Sequence, residues 1–147
     1  MSTSLTRRNF LEWTSAAGTA ALLLSTLEGC TGSGSVAGST MSSNGQASLT
    51  FAMYPALMNV GDGVVVNVDN TPIAVLRTGA TSASALSAVC THQGCTLEVQ
   101  SGSTPLFCPC HGSEFDANGN PVAGPARSRL RVYQASVDAT GVTVTLG

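Results

Sequence analysis

Two short segments hold nearly all of the reactive side chains in this sequence. They are Cys90-Thr91-His92-Gln93-Gly94-Cys95 and Cys108-Pro109-Cys110-His111-Gly112-Ser113. Four of the five cysteines and both histidines fall inside them. Cys90 with His92, and Cys108 with His111, each send one sulfur and one imidazole out of a single loop, so both side chains can reach the same metal centre. Two cysteines with two histidines could build a tetrahedral zinc site. Four cysteines in an oxidising compartment could equally form plain disulfides. Neither scheme employs every residue. Zinc leaves Cys95 and Cys110 over, and disulfides alone leave both histidines idle.

The elements that must position these loops read as β. Gly63–Val68 and Ile73–Arg77 are β-branched runs joined by the turn residues Asp69-Asn70-Thr71-Pro72. Ala85–Val89 and Pro105–Phe107 read as short strands, each running straight into one of the cysteine segments. Leu130, Val132 and Gln134 alternate with Arg131 and Tyr133, and Val142, Val144 and Leu146 alternate with Thr143 and Thr145. Asp138-Ala139-Thr140-Gly141 is a turn between those last runs. No stretch after Leu49 sustains a 3.6-residue period, so the fold class is all-β with small antiparallel sheets. Gly94, Gly112 and Gly124 suit tight loop geometry.

The segments CTHQGC and CPCHGS, with Cys95 and Cys110 fifteen residues apart, resemble the two cluster-binding boxes of the Rieske iron–sulfur family. The likeness is to its disulfide-bearing, high-potential class. Gly124-Pro125-Ala126 resembles that family's proline loop, which covers the cluster from a third side. The resemblance implies one 2Fe–2S cluster, with Cys90 and Cys108 on one iron and His92 and His111 on the other. It further implies a Cys95–Cys110 disulfide, a tip formed by the two boxes and the proline loop, and histidines that reach solvent. Ser113 corresponds to the family's serine whose hydroxyl bonds a bridging sulfide, and Gly94, Gly112 and Pro125 to residues that shape the surroundings of the cluster. Phe115 departs from the pattern, because quinol-oxidising members typically carry a hydrogen-bonding tyrosine there.

Composition narrows the partners. The 147 residues are 43% hydrophobic and only 10% charged, with six arginines and no lysine, which excludes the basic footprint of a nucleic-acid binder. The formal charge of −2 is too small to name a partner. Arg127, Arg129 and Arg131 read as a solvated strand face.

The first thirty residues account for the fifth cysteine. Thr6-Arg7-Arg8-Asn9-Phe10-Leu11 resembles a twin-arginine export signal, although Glu12 stands where such signals often carry lysine. The uncharged run from Trp13 to Leu27 has the length of a signal core, and is short against the ~20 apolar residues of a membrane span. Leu27-Glu28-Gly29-Cys30 resembles a lipobox, with an unusual Glu28; if it is read, the mature chain starts at a lipidated Cys30. Residues 1–30 are therefore expected to be signal or anchor, 31–48 a flexible Gly/Ser-rich tether, and 49–147 the cluster domain. Twin-arginine export carries folded proteins, so the cluster can be installed before its thiols meet oxidant.

These readings point to a one-electron carrier held at the outer face of the cytoplasmic membrane or in the periplasm. Its donor is expected to be quinol or a membrane enzyme, and its acceptor a c-type cytochrome. It would be an electron-transfer protein, or the Rieske subunit of an oxidoreductase complex such as a quinol–cytochrome c reductase. The alternative is the small Rieske subunit of a periplasmic oxidoreductase resembling arsenite oxidase. A third class, the soluble ferredoxins of ring-hydroxylating dioxygenases, is opposed by the export signal, Cys95, Cys110 and Ser113.

Overall fold

A computed structural model of the chain describes residues 39–40 and 43–147. Arg7, Arg8 and Cys30 lie outside the described residues, as does most of the expected tether. Among the described residues eleven strands run in chain order: β1 Ser39–Thr40, β2 Gln46–Thr50, β3 Gly63–Val68, β4 Thr71–Gly79, β5 Ser82–Ser87, β6 Glu98–Val99, β7 Leu106–Phe107, β8 Glu114–Phe115, β9 Pro121–Ala123, β10 Val132–Val137 and β11 Gly141–Thr145. One short 3-10 turn, Pro55–Met58, interrupts them. The all-β expectation holds.

The strands form two sheets. A seven-stranded sheet has the order β1-β3-β4-β5-β10-β11-β2, and a four-stranded sheet the order β6-β7-β8-β9. All pairings are antiparallel except β1 with β3. The β3–β4 hairpin turns on Asp69 and Asn70 alone. Both have positive φ, 47° and 65°, as a two-residue primed turn requires. Thr71 and Pro72, expected in the turn, already belong to β4 and pair with Val68 and Asn67.

The centre of the large sheet is buried on both faces, which explains the nearly unbroken apolar runs of β3 and β4. Val66, Val68, Ile73 and Val75 point into one core with Leu49, Leu57, Val142 and Val144. Val65, Ala74 and Leu76 point the other way, into a core shared with the small sheet. That second core contains Leu97, Leu106, Phe115 and the two free cysteines among the described residues, Cys90 and Cys108. Residues one apart on a strand face opposite ways, so β3 and β4 serve both cores at once. The cluster loops are in this way seated on the same hydrophobic contacts that hold the two sheets together.

The sheet begins before Leu49. Gln46, Ala47 and Ser48, expected at the end of the tether, pair with Thr145, Val144 and Thr143 of β11. The composition is tether-like, but Ala47 alternates with Leu49 as a buried position of β2. Alternation this short, in small residues, carries little signal in the sequence. Five strands were not expected: β1, β2 and the short β6, β8 and β9, whose few residues lie close to turns. Conversely, β5 ends at Ser87, and Val89 keeps only an isolated bridge to Thr96.

The position of Ala47 yields a contrast. Ala47→Asp would bury an unpaired charge and is expected to cost about 3 kcal/mol or more. Ser48→Asp, on the exposed side of the same strand, should stay within about 0.5 kcal/mol. Equilibrium denaturation of the two variants checks this, and equal, negligible effects would return these residues to the tether.

Candidate metal centre

The two cysteine segments fold as the same turn twice. The Cys90 N–H donates to the Cys95 carbonyl at 2.8 Å, and the Gly94 N–H to the Cys90 carbonyl at 2.9 Å. In the second segment the Cys108 N–H donates to the Ser113 carbonyl at 2.8 Å, and the Gly112 N–H to the Cys108 carbonyl at 2.9 Å. A reversal of this kind needs a left-handed residue at its fifth position. Gly94 and Gly112 fill it with φ of 78° and 70°. The first turn caps the Ala88–Leu97 ladder, where the Leu97 N–H bonds the Ala88 carbonyl. The second caps the β7–β8 hairpin.

A covalent bond joins the two turns. Cys95 and Cys110 form a disulfide with an S–S length of 2.07 Å and a Cα–Cα distance of 6.5 Å. The other two cysteines remain free. Cys90 is 2% exposed and Cys108 fully buried. Burial pushes the Cys108 thiol above its ordinary value, and a hydrogen bond with the Cys90 thiol adds to this. The backbone N–H groups of Cys110 and His111 pull the other way. Burial of this kind favours the protonated Cys108 thiol unless a cation compensates the thiolate, as a metal does.

The imidazoles lie on the opposite side. His92 and His111 meet edge to face, with ring centroids 4.7 Å apart and planes at 86°. His111 is exposed and His92 half-buried. The Nδ1 atom of His92 is buried with no hydrogen-bond partner among the described residues. Such an orphaned atom costs free energy that a metal bond would remove. Among the described residues, no three His, Cys, Asp or Glu side chains gather closely enough to hold one ion between them. The donors are instead sorted by type into a buried thiol pair and an outer imidazole pair. A buried thiol pair beside a more exposed imidazole pair is a donor set of mixed sulfur and nitrogen type, as a Rieske cluster requires.

A third segment closes over this tip. Gly124 has φ of 82°, and a Cβ there would stand 2.5 Å from both the Gly112 carbonyl oxygen and the Ser113 Cα. Only glycine allows this approach. The following residues latch onto both turns. The Ala126 N–H donates to the Ser113 Oγ at 3.1 Å, and the Thr91 Oγ1 donates to the Ser128 carbonyl at 2.7 Å. Ser113 is fully buried, while Pro125 is exposed at the apex. The Thr91 latch was not anticipated, since nothing in the sequence marks a bond spanning 37 residues.

Nearby, Asp116 organises the β8–β9 loop. Burial alone would raise its carboxyl. The Asn120 side-chain amide, the N–H groups of Asn120 and Asn118, and the charge of Arg129 outweigh burial and hold it low.

Fold and site together define an all-β metalloprotein with a two-loop, disulfide-stapled tip that gathers two thiols and two imidazoles. A family model described as "Rieske [2Fe-2S] domain" matches residues 50–134, more than half of the chain. The chain therefore belongs to the Rieske family and is an iron–sulfur electron carrier with one 2Fe–2S cluster.

Its relatives include the cytochrome b6-f complex iron-sulfur subunit of Synechococcus sp. (strain JA-3-3Ab), 39% identical over 82 residues, covering 56% of this chain and 43% of that one. The same subunit of Prochlorococcus marinus subsp. pastoris is 41% identical over 76 residues, covering 52% and 43%. The chain thus spans less than half the length of these curated relatives. Among solved structures, it is similar to the cyanobacterial plasma membrane Rieske protein PetC3 from Synechocystis PCC 6803. There the identity is 32% and the TM-score 0.54, covering 65% of this chain and 94% of that one. The ferredoxin of carbazole 1,9a-dioxygenase from Nocardioides aromaticivorans IC177 is similar at 27% identity and a TM-score of 0.54, covering 68% and 95%.

The disulfide generates a test. In the chain-entropy picture, closing a loop of about 15 residues is worth roughly 3 kcal/mol. Cys95→Ala is expected to leave the base sheet folded and iron still incorporated, but to let the cluster bleach several-fold faster than in the parent. Visible absorbance over time reads this, and an unchanged lifetime would show that hydrogen bonds alone hold the two turns together.

Proposed function

We propose that Cys90 and Cys108 hold one iron of the cluster and His92 and His111 the other, and that the chain shuttles electrons at the outer face of the cytoplasmic membrane. In this reading it takes electrons from quinol or a membrane enzyme and passes them to a c-type cytochrome. The observation that carries the proposal is the sorting of donors, thiols inside and imidazoles at the surface beside the Cys95–Cys110 staple. The twin-arginine-like Arg7-Arg8, the lipobox-like Cys30 and the relatives' names, which place them in the cytochrome b6-f complex, support membrane tethering on the outer face.

The residues divide the work. When bound, the cluster accepts and returns a single electron. Cys90 and Cys108 supply two thiolate charges inside the protein, screened from solvent by Leu97, Leu106 and Phe115. His92 and His111 supply neutral donors, which lower the negative charge and make an added electron easier to accept. The N–H groups of Cys110 and His111 donate to the Cys108 sulfur and stabilise its charge. His111, being exposed, would present its ring to a partner. The Ser113 oxygen already accepts from Ala126, which leaves its O–H free to donate to a cluster sulfur.

The direct test uses the full chain with its cluster. A quinol should reduce it and develop a Rieske-type resonance spectrum, and a c-type cytochrome should then reoxidise it. Failure of any quinol to reduce the cluster within the membrane would move the donor to another enzyme. Zinc in place of two irons and two sulfides would overturn the ligand assignment itself.

The donor bonds make a second prediction. A hydrogen bond to a cluster sulfur is stronger in the reduced, more negative state, so each donor raises the potential. With Ser113 present but Phe rather than tyrosine at position 115, the potential is expected in the positive part of the Rieske range of roughly −150 to +300 mV. A differential of about 1 kcal/mol corresponds to about 40 mV for one electron. Ser113→Ala should lower the potential by tens of millivolts or more, and Phe115→Tyr should raise it by a similar amount. Potentiometric titration followed by electron paramagnetic resonance reads both. An unchanged potential in Ser113→Ala, with the cluster intact, would reduce Ser113 to a turn residue.

A further inference from the structure

The arginines are distributed unevenly. Of the six, Arg7 and Arg8 lie outside the described residues, and Arg77 is 8% exposed. Arg77 turns its guanidinium onto the carbonyls of Gly79 and Ala80 and lies 5.3 Å over the Phe51 ring. The exposed arginines among the described residues are therefore Arg127, Arg129 and Arg131, all within five positions. That segment leaves the loop that closes over the tip and enters β10.

Two of the three have local partners. Arg129 donates to the Asn118 carbonyl at 3.0 and 2.9 Å and lies close enough to Asp116 to help hold that carboxyl low. Arg131 donates to the Gly147 carbonyl and lies 5.1 Å over the Tyr133 ring. Arg127 has no such partner among the described residues. Yet its backbone is held in place on both sides. The Ala126 N–H is bonded to Ser113 of the second turn, and the Ser128 carbonyl to Thr91 of the first. Arg127 thus has a base anchored to both ligand-bearing turns and an exposed charged head.

The acidic groups do not cancel it. Asp62, before β3, and Asp138, after β10, stand at the end of the large sheet away from the tip, as the antiparallel register requires. Glu98 and Glu114 are half-buried in the small sheet. Asp69, in the β3–β4 turn, is at the tip end but on another connection.

We propose that Arg127, backed by Arg129, is a docking cation that orients an electron-transfer partner whose electron-entry site is ringed by acidic side chains. This rests on the carrier reading above and names the chemistry of its acceptor. A fixed positive charge beside the electron exit raises the encounter rate with an acidic partner and favours encounters that face the tip. A protein partner is favoured over an anionic lipid surface because the charge is bonded into the cluster loops themselves. That placement sets a partner's position relative to the imidazoles and gives nothing extra to general surface attachment.

The test uses the full chain with its cluster reduced and follows one-electron oxidation by two c-type cytochromes in stopped flow. One has a haem edge ringed by acidic residues, the other by lysines. With the acidic-edged cytochrome, the rate constant should fall as salt rises, and Arg127→Gln should lower it about three- to tenfold at ~0.01 M salt, where the screening length is about 30 Å. The difference should vanish near 1 M, where that length is about 3 Å. Toward the lysine-edged cytochrome, Arg127→Gln should leave the rate unchanged or raise it. The resonance spectrum and reduction potential of Arg127→Gln should match the parent, which separates docking from damage to the site. Equal rates for parent and Arg127→Gln with the acidic-edged cytochrome at low salt would overturn the inference. So would a variant that loosens from phosphatidylglycerol vesicles while both cytochrome rates stay the same, since that would make the strip a lipid contact. Oxidation by neither cytochrome, in parent and variant alike, would instead count against the carrier reading.

Discussion

Two separate turns meet at one tip, and the Cys95–Cys110 bond ties them together. Each turn is internally sound, closed by its own pair of backbone hydrogen bonds and a left-handed glycine. Nothing in one turn, however, fixes its distance from the other. The disulfide supplies that distance, and the core beneath supplies the tilt, because Cys90 and Cys108 pack among Leu97, Leu106 and Phe115. The loop bearing Gly124 can then settle onto the second turn, since its clearance there leaves no room even for a methyl group.

The arrangement separates charge from contact. Thiols that become anionic lie within the protein, where neighbouring N–H groups face them and water does not. The imidazoles of half-buried His92 and exposed His111 lie nearer the surface.

Much of this was legible in the sequence, but unevenly. The site could be read because its residue types are scarce and their spacing is strict. Two histidines and four cysteines in two six-residue segments allow few arrangements, and the disulfide stands as the resemblance implied. The long strands could be read because β3, β4 and β11 keep apolar residues in register. What escaped was short or distant. β8 and β9 have two and three residues, too few to show a period. β2 begins inside a stretch of small polar residues, and only its pairing with β11 makes a strand of it. The Thr91–Ser128 bond joins residues with no local pattern, so only folding reveals it.

Both edges of the large sheet, β1 and β2, come from the first few described residues, while β11, which β2 must meet, is the last strand of the chain. This has a consequence for folding order. A growing chain exposes residues 46–50 early but has no partner for them until residues 141–145 have been made. Contacts this distant in sequence are slow to form, because a long loop must close before they stabilise anything. Closure of the sheet is therefore a late event in folding, gated by the synthesis of residues 141–145.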